Sequence, residues 1–497
     1  MSRKAPIFYN ALLLTGVNLL LRLISTSFQV YLSGRIGAAG IGLLQLVMSV
    51  GTLAMTAGMA GVRTASMYLT AEELGKKRPG NVVWVLSGCF LYSILCSGAV
   101  SAALYFFAPV IATKWIGNPE TVSAIRLYAG FLPTCCLCGV MTGYFTAANR
   151  IGTLSAVEVI EQLLYMTITV AIVSLWAQDS PERSCRAVIL GSGISCCVTL
   201  CSLILLRMRE GVKPAGRIPM RSRLLRAAVP LGIADDLRSG ISTTENLMVP
   251  KRLALFAGVS DPLAQFGTVC GMVFPILMFP AAILFSLAEL LIPELARCRS
   301  AGSQVRIRYL VKRSLRIAAL FGCLCCGMEY LLAKPLCQAL YHSEQAGHAL
   351  QYYALMIPIL YCDTVTDAMT KGLGEQKVCV RYNILTSAMD VLLLFLLLPK
   401  FGMDGYFFSF CITHLINFVL SLRHLLKITG EKIRFRAAVP GVCCTALSVY
   451  IVKHISFPVA QGLLFPAVMV CFLMLLGVVG KEDYTWIRGL IKKREAP

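Results

Sequence analysis

A chain of 497 residues, 57% of them hydrophobic and only 14% charged, is too apolar to be a water-soluble globular protein, so its length is not spent on soluble domains. A net charge of +21 would suit a nucleic-acid binder if it coated a polar surface. Here the basic residues stand in short loops between apolar stretches, each long enough to cross ~30 Å of hydrocarbon as a helix, which predicts an all-α, multi-pass membrane protein with no nucleic-acid partner.

Met1-Ser-Arg3-Lys4 precedes the first apolar run as it would in a secretory signal. The run is too long and lacks a small-x-small cleavage site before Tyr31, so an uncleaved first helix is expected. About fourteen spans follow, near 7–32, 41–69, 82–107, 121–148, 155–176, 185–206, 224–250, 265–296, 311–337, 348–370, 378–399, 404–427, 437–455 and 461–480. With a cytoplasmic N-terminus, the inward side holds 33 of the 46 Lys and Arg residues and the outward side about 9. That asymmetry obeys the positive-inside rule and predicts a cytoplasmic membrane protein with both termini in the cytoplasm. The richest inward segments, Arg207 to Arg226 and Arg297 to Arg316, are topology signals first and contacts for anionic membrane lipids second.

The chain reads as an internal duplication. Thr146-Ala-Ala-Asn149-Arg150 joins spans four and five as Thr370-Lys-Gly-Leu-Gly374 joins spans ten and eleven, and Arg22 is matched by Arg238 at a similar separation. The expected organisation is a six-helix lobe over 1–206, a cytoplasmic linker over 207–223, a second six-helix lobe over 224–430, and two further helices with a cytoplasmic tail over 431–497. Six spans per copy make the repeat parallel, the arrangement in which transporters place substrate between the halves and work by alternating access. Pro133, Pro230, Pro275, Pro280 and Pro358 fall within spans, where each removes a backbone hydrogen bond and permits a kink.

Arg22 and Arg238 stand in the middle of spans one and seven, where insertion of a guanidinium costs at least ~2.5–3.5 kcal/mol. Helical spacing puts Asn18, Arg22, Ser25, Thr26 and Gln29 on one face, and Asp235, Arg238, Ser242 and Glu245 on another. Both stripes are expected to face a cavity or protein and to bind substrate, with Arg63 as a third basic group. Arg22 has no carboxylate in its own span and is the expected anion contact; Arg238 is expected to be held in part by Asp235 or Glu245. Asp363, Asp367 and Asp390 are candidates for coupling to a sodium ion or a proton, and pairing of Asp367 with Lys371 is the structural alternative.

The 21 cysteines lie almost entirely inside spans, where they serve as small packing residues. Neither they nor the five histidines have metal-ligand spacing, and no nucleophile elbow or phosphate-cradling loop occurs, so no enzyme, metal or cofactor is expected.

Gly37-Ala-Ala-Gly40-Ile-Gly-Leu-Leu-Gln45, Thr244-Glu245-Asn246-Leu-Met-Val-Pro250-Lys251-Arg252-Leu and the Phe274-Pro275 and Phe279-Pro280 pairs resemble the multidrug/oligosaccharidyl-lipid/polysaccharide exporter superfamily. Within it the chain is similar to the stage V sporulation protein B branch of polysaccharide transporters, relatives of the lipid II flippases. The resemblance implies a monomeric flippase for a lipid-linked oligosaccharide in cell-wall, spore-cortex or capsule assembly. The pyrophosphate of such a substrate would enter a cationic cavity at Arg22 and Arg238. Two alternatives are a cation-coupled multidrug antiporter, which Asp235, Glu245, Asp363 and Asp390 would suit, and a non-transporting scaffold for wall-synthesis enzymes.

Overall fold

A computed structural model describes residues 5–176, 180–210, 221–431, 439–455 and 457–478, and these are all-helical, without a strand. The first residues Met1–Lys4, most of the expected 207–223 linker and the final tail lie outside the described residues. Among the described residues, eight helices are long and apolar enough to cross a membrane, or nine when one bent pair counts as a single span. The chain is a multi-pass membrane protein.

The fourteen expected spans correspond to helical segments once the helices are divided at their breaks. α1 (Ala5–Met59) is broken at Gly37, whose φ is 69°, and supplies span one and most of span two, which α2 (Val62–Gly75) completes. Spans three to seven are α3 (Pro79–Val110), α4 (Val122–Ala147), α5 (Ile151–Trp176), α6 (Pro181–Met208) and α7 (Arg221–Leu253). Span eight combines α8 (Pro262–Gly267), a π-helical turn over Thr268–Val273, α9 (Phe274–Leu277) and α10 (Ala281–Ser300). α11 (Gln304–Tyr341) is span nine, and α12 (Glu344–Ala354) with α13 (Ile357–Gly372) makes span ten. α14 (Gln376–Thr429), broken at Gly402, provides spans eleven and twelve. α15 (Val439–Val452) and α16 (Pro458–Leu475) complete the set.

The prolines act in different ways. α4 runs uninterrupted through Pro133, whereas Pro280 caps α10 after the bend at 278–280. Pro358 lies in the first turn of α13, a position where the missing N–H costs nothing, so span ten is broken before the proline and not at it.

Turn geometry fixes the register of the duplication. Left-handed residues end a helix at Lys77, Gly117 and Asn149, and again, at one constant offset, at Gly302, His342 and Gly374. The hydrogen bonds recur with them: Arg78 N donates to Glu73 O as Ser303 N donates to Cys298 O, both at 3.0 Å, and Arg150 N donates to Phe145 O as Glu375 N donates to Thr370 O. These six-to-one bonds are Schellman closures of a helix C-terminus. Before α8 the offset is smaller. Matching Arg22 to Arg238 sets Gly37 against Leu253, the last residue of α7. After the break at Gly37 the first copy continues directly, whereas the second copy inserts a segment running from Ala254 to Asp261, which supplies most of the change of register.

The chain falls into two compact units, residues 1–272 with 387–406 and residues 273–386 with 407–497. In the first unit a buried core of Val62, Leu69, Val85, Val140, Phe145 and Leu203 holds α2 to α6 together. In the second, Phe465 and Met469 of α16 pack with Cys444 of α15 and Cys323 of α11. All 21 cysteines are free, and 11 are buried, in keeping with a packing role.

Two glycines set how closely α7 approaches the broken second span. Gly61, with φ 74°, lies under Ala228 O, and a Cβ on Gly232 would stand 2.7 Å from Ala60 C. Backbones this close leave no room for side chains. Gly232→Val should therefore destabilise the protein by about 1–3 kcal/mol through overpacking, measured as a lower melting temperature of the detergent-purified protein against a Gly240→Ala control, whose Cβ would meet open space.

Candidate functional site

The breaks and close packing bring two polar stripes together inside the first unit. Gln45, Ser49, Thr52 and Thr56, recurring at helical spacing, line one wall, and Asp235, Arg238, Ser239, Ser242, Thr243 and Asn246 of α7 line the other, around a cavity of about 420 Å³. The walls are tied directly: Thr243 Oγ1 donates to Ser49 O at 3.0 Å and Asn246 Nδ2 donates to Ser49 Oγ at 2.9 Å.

The hydroxyls on the α1 wall are already committed as donors. Ser49 Oγ donates to Gln45 O, Thr52 Oγ1 to Met48 O and Thr56 Oγ1 to Thr52 O and Leu53 O, all between 2.8 and 3.1 Å. Back-bonding of this kind satisfies the proton inside the helix and leaves oxygen lone pairs facing outward. The wall thus presents acceptors to whatever enters.

Arg238 is exposed to this cavity and makes no ion pair or hydrogen bond among the described residues. This corrects the expectation that Asp235 or Glu245 holds it. Asp235 shares the cavity without bridging the guanidinium. Glu245 is outside the lining, and its carboxyl lies instead against Asp390 of α14. The reason is geometric: a residue seven along is rotated back by about 20° on a helix of 3.6 residues per turn. The lining stripe runs through Asp235, Ser242 and Asn246, which leaves Glu245 at its edge.

The span-one residues do not line this cavity. Gln29 Nε2 donates to Gly271 O at 3.2 Å, binding α1 to the π-helical turn of span eight. Arg22 and Thr26 are half-buried, and Ser25 is exposed. Arg63 is exposed in the first turn of α2, where Glu158 of α5 feels its charge.

A separate polar cluster occupies the second unit. Asn417 Nδ2 donates to Asp363 Oδ2 at 2.9 Å; Asn383 Nδ2 and Ser421 Oγ approach Asp367 at 3.3 and 3.5 Å; and Lys371 Nζ lies 3.7 Å from Asp367. Asp363 Oδ1 is buried without a partner. Asp363 and Asp367 therefore share one cluster, whereas Asp390 belongs with Glu245 in the first unit. Among the described residues no group of three or more His, Cys, Asp or Glu side chains has the geometry to hold a metal ion.

Sequence reasoning missed the stripe from Gln45 to Thr56 and the amides Asn383 and Asn417. In both cases the signal was present, as neutral polar residues recurring at helical spacing within apolar spans.

Residues 7–243 match the family described as polysaccharide biosynthesis protein. The chain is 20% identical over 479 residues to stage V sporulation protein B of Bacillus subtilis (strain 168), an alignment that covers 92% of each protein. Its fold is similar to that of the lipid II flippase MurJ in an inward closed conformation, with a TM-score of 0.72 and 13% identity over 94% of this chain and 98% of that one. It also resembles an inward-facing multidrug resistance MATE family transporter of the MOP superfamily, with a TM-score of 0.62 and 13% identity over 89% of this chain and 100% of that one.

The two wall-to-wall bonds predict a stability effect separable from charge. Thr243→Val with Asn246→Leu removes both donors to Ser49, and a loss of about 1–3 kcal/mol is expected, read as a lower melting temperature. Arg238→Gln, which breaks no bond among the described residues, should leave the melting temperature nearly unchanged.

Proposed function

We propose that this chain, which belongs through residues 7–243 to the polysaccharide biosynthesis protein family of the multidrug/oligosaccharidyl-lipid/polysaccharide (MOP) exporter superfamily, moves a lipid-linked oligosaccharide across the cytoplasmic membrane. It is a membrane transporter of that superfamily and not an enzyme. The observation that carries the substrate reading is the cavity in which Arg238 stands open among hydroxyls and amides. A headgroup of phosphates and sugars cannot cross hydrocarbon unaided, because each unpaired polar group there costs several kcal/mol.

In this reading the guanidinium of Arg238 takes a phosphate through two parallel N–H donors. The lone pairs of Thr52 and Thr56 accept from sugar hydroxyls, while Gln45 offers an amide. Arg22, at the matching position of the other copy, is the second anion contact, with Ser25, Thr26, Gln29 and Arg63 around the same path; Ser242 completes the α7 side, and Glu245 stands outside it against Asp390. The lipid tail remains in the bilayer. The lobes 1–206 and 224–430 act by alternating access, joined by 207–223, with 431–497 appended and both termini in the cytoplasm. Asp363 and Asp367 bind the coupling sodium ion or proton, and Asp390 contributes through Glu245. Sporulation stands in the name of the Bacillus subtilis relative, which favours wall or spore-cortex assembly as the setting.

Asp235 in the same cavity supports a second reading, export of organic cations in exchange for an ion. The arginines separate the two. Purified protein carrying Arg22→Ala and Arg238→Ala should bind lipid-linked oligosaccharide at least ~10-fold more weakly than wild type if they hold its phosphates, and should bind an organic cation more tightly if the second reading is correct. Unchanged binding of both would leave only a scaffold role. Asp363→Asn and Asp367→Asn should leave binding of the oligosaccharide intact and abolish the sodium or pH dependence of its transport in proteoliposomes.

A further inference from the structure

The two charges on the α7 wall have opposite sign, and their arrangement carries the headgroup reading, on which the following rests, one step further. Asp235 and Arg238 are three residues apart, both are exposed to the same cavity, and no ion pair joins them. A carboxylate kept only to steady a buried arginine would close on it at this spacing. These two stand open, side by side. Together they leave the cavity with no net charge, so a ligand that is only anionic gains from Arg238 and loses at Asp235.

We infer that the headgroup held here carries an ammonium group next to its phosphate, the ammonium meeting Asp235 and the phosphate meeting Arg238. The opposite wall fits the same ligand. An ammonium has donors to place and no acceptor, and Thr52 and Thr56 offer lone pairs because their own protons are spent on backbone carbonyls. The other nearby acids are outside the lining: Glu245 lies against Asp390, and Asp236 Oδ1 is buried. Side chains three apart on a helix start about 5–6 Å from each other, close enough for one sugar that carries an amine and a phosphate on adjacent carbons to meet both. A phosphoethanolamine lipid headgroup presents the same pair of charges, so the chemistry has two sources.

Binding of three probes to purified full-length protein tests this: glucosamine 1-phosphate, N-acetylglucosamine 1-phosphate and glycerophosphoethanolamine. Glucosamine 1-phosphate is expected to bind ~10-fold more tightly than its acetylated form. Asp235→Asn should erase that preference and Asp235→Glu should retain it, whereas Arg238→Gln should weaken both sugar phosphates. Tighter binding of glycerophosphoethanolamine than of either sugar supports the paired charges and assigns them to a lipid headgroup. Equal binding of the two sugar phosphates by wild type overturns the ammonium assignment and leaves the headgroup site standing. No binding of any probe overturns the headgroup site itself, and the ammonium assignment with it.

Discussion

Hydrocarbon will not solvate a polar group, and nearly every informative feature of this protein follows from that refusal. Helices satisfy the backbone; side chains must find partners in the protein or face a cavity. The Ser and Thr hydroxyls along Gln45 to Thr56 solve the problem by donating to their own helix, which makes them tolerable at membrane depth and useful as acceptors. Asp363 and Asp367 solve it differently, by drawing amides and a hydroxyl from α14 around them. Arg238 solves it by opening onto the cavity.

The same constraint made the fold largely legible. Apolar run lengths were enough to place fourteen helical segments, eight or nine of which are long and apolar enough to cross the bilayer among the described residues. The two matched arginines and the duplicated connectors at Asn149 and Gly374 gave the repeat, and most of the change of offset between them lies in the segment from Ala254 to Asp261. What hydropathy could not give was the break positions. Gly37, Gly61 and Gly402 look like any other small residues in apolar runs, and their left-handed backbone is visible only in three dimensions.

The candidate site was half legible for a related reason. Charged residues in spans stand out, so Arg238, Asp235 and the Asp363–Asp367 pair were found from sequence. Neutral polar residues do not, since serine, threonine, asparagine and glutamine are common enough in spans to pass as packing. Helix phase was the other limit. A stripe drawn through Arg238 predicts Glu245 as its continuation, but the packing of α7 on α1 is set by Gly232 and Asn246, and it rotates the lining toward Ser239.

The junction after α7 has a mechanical meaning. Arg252 donates twice to Phe395 O and stacks over the Phe395 ring, Lys251 reaches Lys114 O, and Phe256 fills the space above Gly402, where a Cβ would stand 2.8 Å from its ring. These contacts latch the end of α7 to α14 near its break and to the segment that follows α3. Motion of that end must carry its neighbours along or break the latch. The first copy has no counterpart to this segment, only the single residue Gly37. One copy of the duplication therefore has a bare break at this point, and the other a segment latched to its neighbours.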